Sequence, residues 1–294
     1  MRIARLLLAD SSAPIVAIER RGVLYDVAEL DRHLETRWAP ERLDAASDFR
    51  TRVLSLGGAG LAALDAALAA GHRARDARIL PGTWVWLPPC ETDGLVVELD
   101  PADAPQSADG RGFGVGTART LLGHDAAVPM PAGEEEPDVE LSLAAVLGED
   151  VTRADASEAG AAVAGYSILA RWVGRSTARR LSSGPRERVG AAQLGPFLLT
   201  HDEGPARAAG AGSISVAGRR LAVGPLATSL AKLAEGIAFV SRWIPLRAGD
   251  VVAGGRLPGG SASGHGVAHE WGAAVELELD GLGRLAGRPV RGAY

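Results

Sequence analysis

Six histidines are the side chains here whose unperturbed pKa lies near neutrality, which makes them the first candidates for proton transfer. His265 and the His269-Glu270 pair sit in or beside Gly259–Gly266 (Gly-Gly-Ser-Ala-Ser-Gly-His-Gly). That composition reads as a loop able to pass over an active-site mouth. A spacing of four would suit a metal only on a helix, and Gly264 and Gly266 argue against a helix there. His201-Asp202-Glu203 and His124-Asp125 read as turns, and His33 and His72 fall on helical stretches near the N-terminus. Fixed positive charge is almost wholly guanidinium, because Lys232 is the only lysine. That closes lysine-based mechanisms everywhere else and fits a GC-rich coding bias. Ser142 has no histidine near it in sequence, and no Gly-x-Ser-x-Gly elbow exists, which argues against a serine hydrolase. Gly112–Thr117 (Gly-Phe-Gly-Val-Gly-Thr) looks like a phosphate loop but lacks the strand–loop–helix context and the lysine.

The elements that must carry these groups are mostly strands. Residues 2–8, 14–19 and 22–26 are β-prone, with a turn at Arg20-Arg21-Gly22. Asp26 or Asp31 is placed to cap a helix near 27–36, and 43–55 and 59–71 have helical spacing. The proline-punctuated stretch from Leu80 to Pro89 marks a domain boundary near residue 85. Residues 100–112 read as a loop, and so does 132–137, whose Glu134-Glu135-Glu136 looks fully exposed. Residues 138–147, 162–169, 194–200, 213–223, 250–254 and 274–280 read as strands. Leu226–Ser241 is the clearest helix, apolar at 226, 230, 233, 237 and 240. The expected fold is mainly β with some α (α+β): a small N-terminal α+β domain over 1–85 and a larger domain over 86–294.

At 294 residues, 47% hydrophobic and 23% charged, the chain has the composition of a globular protein with a large core. A net charge of −5 leaves no basic footprint for nucleic acid. No apolar run approaches the ~20 residues that would cross a bilayer. Asp10 interrupts the apolar start of the chain, so residues 1–8 read as a strand rather than a signal peptide. The lone Cys90 excludes an intramolecular disulfide and suits a reducing cytoplasm.

Three stretches carry a resemblance: Leu194-Gly195-Pro196-Phe197-Leu198-Leu199-Thr200, Trp243-Ile244-Pro245-Leu246-Arg247-Ala248-Gly249-Asp250-Val251-Val252, and Val275-Glu276-Leu277-Glu278-Leu279-Asp280-Gly281-Leu282-Gly283. Together they resemble the C-terminal domain of the fumarylacetoacetate hydrolase family, over roughly residues 86–294. The resemblance implies a mixed β-sheet roll around a central site and a homodimer. It also implies the cleavage, decarboxylation, hydration or isomerisation of dicarbonyl-type acids by Mg²⁺ or a similar ion holding an enolate. A hard cation suits such oxygen-rich chemistry.

The ligands that the family leads one to expect are largely replaced. Where it has Glu-x-Glu, the chain has Glu140-Leu141-Ser142, with Gly148 closing the strand. Strand alternation keeps residues 140 and 142 on one side. In Gly165–Arg175 (Gly-Tyr-Ser-Ile-Leu-Ala-Arg-Trp-Val-Gly-Arg), Arg171 stands at the metal-binding aspartate, and a guanidinium has no lone pair for a metal. Arg186 keeps the charge of the family's lysine, while Val189 does not keep the acid three residues later. Gly254-Gly255-Arg256-Leu257 stands for Thr-Gly-Thr-Pro. No histidine lies between Pro89 and Gly123 to supply the expected His/Glu dyad.

Three readings follow. In the first, the chain is a metal-independent lyase, isomerase or cyclase acting on an enolisable carbonyl compound, keto-acid or polyketide-like, in bacterial specialised metabolism. Arg171, Arg186 and Arg256 supply the charge, and Glu140 serves as general base if burial raises its pKa. His269 or Glu270 assists from the loop, while Ser142, Arg256 and Tyr166 line the substrate pocket. Tyr166 otherwise reads as a packing residue, like Trp172. No cofactor is then required. In the second, Arg171 fills the vacated metal hole against Glu140, and the chain is an inactive relative or a ligand- or partner-binding protein. In the third, it is a Mg²⁺-dependent C–C hydrolase whose acidic oxygens meet a cation at ~2.0–2.1 Å.

Overall fold

A computed structural model describes residues 1–33, 66, 68–69, 77–80, 82, 84–90, 93–100, 112–181, 191–204, 210–226, 228–257 and 270–292. Strands β1 (Arg2–Leu8), β2 (Ile15–Arg20) and β3 (Val23–Asp26) form an antiparallel meander. The β2–β3 turn, Arg21-Gly22, has both residues at positive φ, as a two-residue hairpin turn requires. Asp26 caps the helix that follows, α1 (Val27–His33), accepting from the amide of Ala28 at 2.8 Å. The helices expected over 43–55 and 59–71 fall outside the described residues, apart from 66, 68 and 69, which are helical.

The meander joins a larger mixed sheet. β1 pairs with β4 (Trp84–Leu87) and with β11 (Ala192–Thr200), which also holds the short β7 (Leu121–Leu122). The sheet continues through β10 (Val163–Gly174), β9 (Pro137–Leu147), β14 (Val251–Gly254), β5 (Leu95–Leu99) and β6 (Phe113–Thr117). Strands from before and after residue 85 therefore share one sheet. A second sheet runs in the order β13 (Arg219–Pro225), β12 (Ala211–Val216), β15 (Val275–Leu279), β16 (Gly283–Arg291) and β8 (Ala126–Met130).

Three differences from expectation have local causes. The single strand expected over 213–223 is the β12–β13 hairpin, turned at Ala217-Gly218 with both residues at positive φ. β10 runs five residues beyond the expected end at 169, because β9 pairs with it as far as Gly174 and Pro137. The helix expected from Leu226 begins at residue 230, as α4 (Leu230–Ser241), because Ser229 caps it through the amide of Lys232. Two shorter helices are α2 (Ala156–Ala161) and α3 (Arg175–Arg180). None of the described helices is long and apolar enough to cross a membrane.

All eleven residues of β9 are buried, since both faces of the first sheet are covered there. Its odd residues, Val139 to Leu147, face a core shared with Ile214, Leu277 and Leu285 of the second sheet and Leu233 and Ile237 of α4. Its even residues Ala144 and Val146 face a second core with Ile3, Leu169 and Ala253. Gln193 ties the layers together. Fully buried, it accepts from the Trp172 indole at 2.7 Å and donates to the carbonyls of Gly123 (2.9 Å) and Ala286 (3.0 Å). Gln193→Ala strands these three buried groups, so chemical denaturation should show a loss of about 2–4 kcal/mol.

Candidate functional site

The register between β9 and β10 sets Arg171 directly across from Glu140. Side chains of such cross-strand partners are in contact distance. Alternation along β9 puts Asp138, Glu140 and Ser142 on that same face. Two strands further along the sheet, β5 contributes Glu98, whose register partner on β14 is Ala253. Beyond the end of β14, Gly254-Gly255 turns the chain so that Arg256 reaches Glu140. Gly255 has φ +65°, and a Cβ there would run into Thr228, so the turn needs glycine. Arg175, the first residue of α3, arrives from the end of β10.

The six charged residues among these form one ion network centred on Glu140. Arg171 donates through Nε (3.1 Å) and Nη2 (2.6 Å) to Glu140 Oε2. Arg256 Nη1 lies 3.1 Å from the same oxygen. Arg175 Nη2 donates to Glu140 Oε1 at 2.7 Å, and its Nε donates to Asp138 Oδ2 at 2.8 Å. Glu98 Oε2 lies 3.5 Å from Arg171 Nε and 3.9 Å from Arg256 Nη2. Three guanidiniums thus face three carboxylates. The desolvation cost of burying such charges is offset only where the lone pairs are filled, as they are at Glu140.

The two signs are not equally accessible. The side chains of Arg175 and Arg256 are 28% and 26% exposed, while those of Asp138 and Glu140 are 0% and 10% exposed. Solvent therefore meets the network from its guanidinium side. Burial pushes the Glu140 pKa up, but Arg171, Arg256 and Arg175 together outweigh it and hold the carboxyl below its usual range. The condition for Glu140 as a general base, a raised pKa, is not met. Arg256 is drawn down, first by burial and then by Arg171 and Arg175, against the opposing pull of Glu140 and Glu98.

The remaining expected site residues are scattered. Ser142 is buried on the network's face of β9. Tyr166 is five residues from Arg171 on β10, hence on the opposite face, where it joins the core between the sheets. Its ring stacks on His201 at 5.9 Å, with its hydroxyl 3.3 Å from Nδ1, so the structure gives it a packing role rather than the expected substrate contact. Glu270 is exposed, and its carbonyl accepts from Ala273 at 3.0 Å to close a turn. Arg186 and His269 lie outside the described residues. His124 is only half exposed, and its Nδ1 accepts from the amide of Ala286 at 3.0 Å. Sequence reasoning missed Arg175, Asp138 and Glu98 as members of the network. The alternation 138/140/142 was a signal for Asp138; Arg175 had none, because its placement depends on where β10 ends.

This donor set does not fit a divalent cation. Glu140 already accepts from three guanidiniums, and a cation placed on its oxygens would meet their fixed charge. Among the described residues, no three His, Cys, Asp or Glu side chains are grouped to hold a metal ion.

Comparison with known proteins supplies the context. A family model described as fumarylacetoacetate (FAA) hydrolase C-terminal matches residues 95–290. No curated protein matches the chain. Among solved structures, a maleylpyruvate hydrolase from Sphingobium sp. SYK-6 in complex with manganese(II) and pyruvate aligns with TM-score 0.73 at 20% identity, covering 99% of this chain and 100% of that one. A fumarylacetoacetate hydrolase from psychrophilic Exiguobacterium antarcticum aligns with TM-score 0.70 at 20% identity, covering 99% of both chains. A 5-carboxymethyl-2-hydroxymuconate delta-isomerase from Mycobacterium smegmatis aligns with TM-score 0.68 at 19% identity, covering 99% and 100%. At these identities the structural likeness establishes the fold alone, and it is the mainly β, α+β fold expected from sequence.

Removing Arg171 leaves buried Glu140 short of its principal partner. Urea titration of Arg171→Ala should show a loss of about 3–5 kcal/mol, whereas Arg256→Ala, at a partly exposed position, should lose less. Because the folded pKa of Glu140 is depressed, its stabilising contribution is fully present above the ordinary value of 4.5 and is lost as pH falls through the lower folded value. Glu140→Gln should flatten the wild-type stability profile on the acid side of pH 4.5.

Proposed function

The chain belongs to the fumarylacetoacetate hydrolase family, and from that premise we propose that it is a metal-independent member acting on a small, carboxylate-bearing, enolisable carbonyl compound. The reaction class proposed is lyase, isomerase or cyclase. One observation carries this reading. The family's carboxylate centre is here sealed by arginines, and the accessible edge of the resulting network is cationic, formed by Arg175 and Arg256.

The chemistry follows from that edge. Arg175 and Arg256 each hold a different oxygen of Glu140, so both partly exposed guanidiniums are anchored on one carboxylate. Fixed, always-charged donors of this kind bind a carboxylate bidentately and stabilise an enolate oxygen as charge develops on it. Arg171, nearly buried, holds Glu140 ionised and in place rather than meeting substrate. Glu140 then anchors the guanidiniums and does not shuttle protons, which departs from the base role the sequence suggested. Relatives of the same fold include proteins named as isomerase and as hydrolase, and a guanidinium-lined edge, which activates no water, favours the former kind of chemistry for this chain. The proposal includes a cytoplasmic homodimer without nucleic-acid or membrane partners, consistent with net charge −5 and a single cysteine.

A second reading has its own observation. Arg171 and Glu140 fill each other at 2.6 Å, as expected of a non-catalytic protein that keeps the scaffold for ligand binding.

Oxalate, a planar mimic of a pyruvate enolate, tests the cationic edge on which the first reading rests. Calorimetric titration of the chelator-treated protein should show binding, weakened at least about tenfold in Arg256→Ala. Binding that appears only after Mg²⁺ or Mn²⁺ is added would overturn the metal-free reading. Absence of binding under both conditions would leave the network as internal structure only.

A further inference from the structure

Of the three consecutive glutamates that look like an exposed connection, Glu134 is 2% exposed. Its carboxylate accepts five hydrogen bonds. Oε1 accepts from the amides of Glu135 (3.1 Å), Glu136 (2.7 Å) and Ser176 (3.1 Å) and from the Ser176 hydroxyl (2.6 Å). Oε2 accepts from the amide of Thr177 at 3.0 Å. Burial pushes its pKa up, but the hydrogen bonds from Ser176 and Thr177 dominate and bring it to about 2, so it is ionised at any physiological pH.

Ser176 and Thr177 are the second and third residues of α3, and Arg175 is the first. A helix this short has little stability of its own, and its first amides need acceptors. The N-cap residue, Gly174, supplies no side-chain cap. A Cβ at Gly174 would run into the Glu134 carboxylate, so the glycine is what lets that carboxylate in. The same loop grips the helix again, through the Arg175 amide to the Glu136 carbonyl (3.1 Å) and Arg180 Nη2 to the Gly133 carbonyl (3.0 Å). An anion borrowed from a neighbouring loop thus does what a capping side chain would do, with the helix dipole in its favour.

We infer that Glu134 is a positioning residue for the anion site: it fixes the start of α3 so that the Arg175 guanidinium reaches Asp138 and Glu140 with one edge left open to ligand. The inference rests on the anion-binding reading above for its functional consequence, but its structural half is independent of any ligand. Glu134 itself does not touch the ligand and acts only through Arg175.

A double-mutant cycle tests this. Glu134→Gln keeps the size of the side chain but loses the charge and turns one acceptor into a donor facing amides. In otherwise wild-type protein it should weaken oxalate binding about tenfold. In an Arg175→Ala background the same change should alter affinity less than about twofold, since its route of action is already gone. Equal losses in both backgrounds would mean general destabilisation and would overturn the inference. Glu134→Asp, which keeps the charge, should retain most of the affinity that Glu134→Gln loses; an equal loss would also count against it. If Glu134→Gln does not fold, Ser176→Ala, which removes one of the five bonds, takes its place in the cycle. If wild-type protein does not bind oxalate, the anion-site reading fails, and the Nε–H resonance of Arg175 decides the remainder. That proton is held by Asp138 in the wild type. It should shift and exchange faster with solvent in Glu134→Gln, and an unchanged signal would overturn the positioning role.

Discussion

A carboxylate in the interior of the longest antiparallel pair of the first sheet constrains everything around it. Glu140 sits on β9, where every residue is buried, and its side chain is only 10% exposed. An ionised group there must be compensated by charge and by hydrogen bonds or give up its proton. Compensation arrives from three places that are far apart in sequence: Arg171 from the paired strand, Arg175 from the first residue of α3, and Arg256 from the glycine turn beyond β14. Each source is fixed by a separate piece of fold. The strand register fixes the first, the buried Glu134 fixes the second, and the left-handed Gly255 fixes the third.

The network also explains why arginine, in a chain with a single lysine, is more than a matter of composition. Glu140 presents two oxygens, and three donors must reach them from different directions without colliding. Planar guanidiniums with several N–H groups do this edge-on and can bond a second acid at the same time, as Arg175 does with Asp138. An ammonium has three donors on one compact atom and lacks the planar fork that allows this edge-on reach. The result is a balanced set of charges whose acidic members and Arg171 lie inside, while Arg175 and Arg256 reach the surface.

Much of the fold was readable in the residues. β9 and β14 declare themselves as apolar runs, and β1 to β3 as short β-prone segments parted by a glycine turn. The β16 strand (Gly-Arg-Leu-Ala-Gly-Arg-Pro-Val-Arg) does not, because two glycines, a proline and three arginines mask its alternation; it is recognisable only beside its partners β15 and β8. The site divides in the same way. Glu140 and Arg171 could be placed opposite one another from the resemblance and from alternation. Arg175 could not, since a residue just beyond a strand end takes its direction from whatever holds the next element. Here that holder is Glu134, which sits in a run of glutamates whose composition reads as solvent-exposed. Tyr166, which reads from sequence as packing or as pocket lining, takes the packing role because an odd separation from Arg171 along β10 sends it to the other face of the sheet.

Exchanging a cation site for guanidiniums is not a like-for-like change in chemistry. A divalent ion polarises an oxygen directly and can turn a bound water into a nucleophile, which is what hydrolysis needs. A guanidinium donates hydrogen bonds and holds charge, but it activates no water and releases no proton in the accessible pH range. Arg175 and Arg256 can therefore orient a carboxylate and stabilise an enolate, but they supply no attacking group. Glu140 cannot supply one either while three guanidiniums hold it ionised and fully bonded. What such a site retains is the binding and stabilisation of an anion, and an enolisation on it needs a proton acceptor other than Glu140 and the guanidiniums.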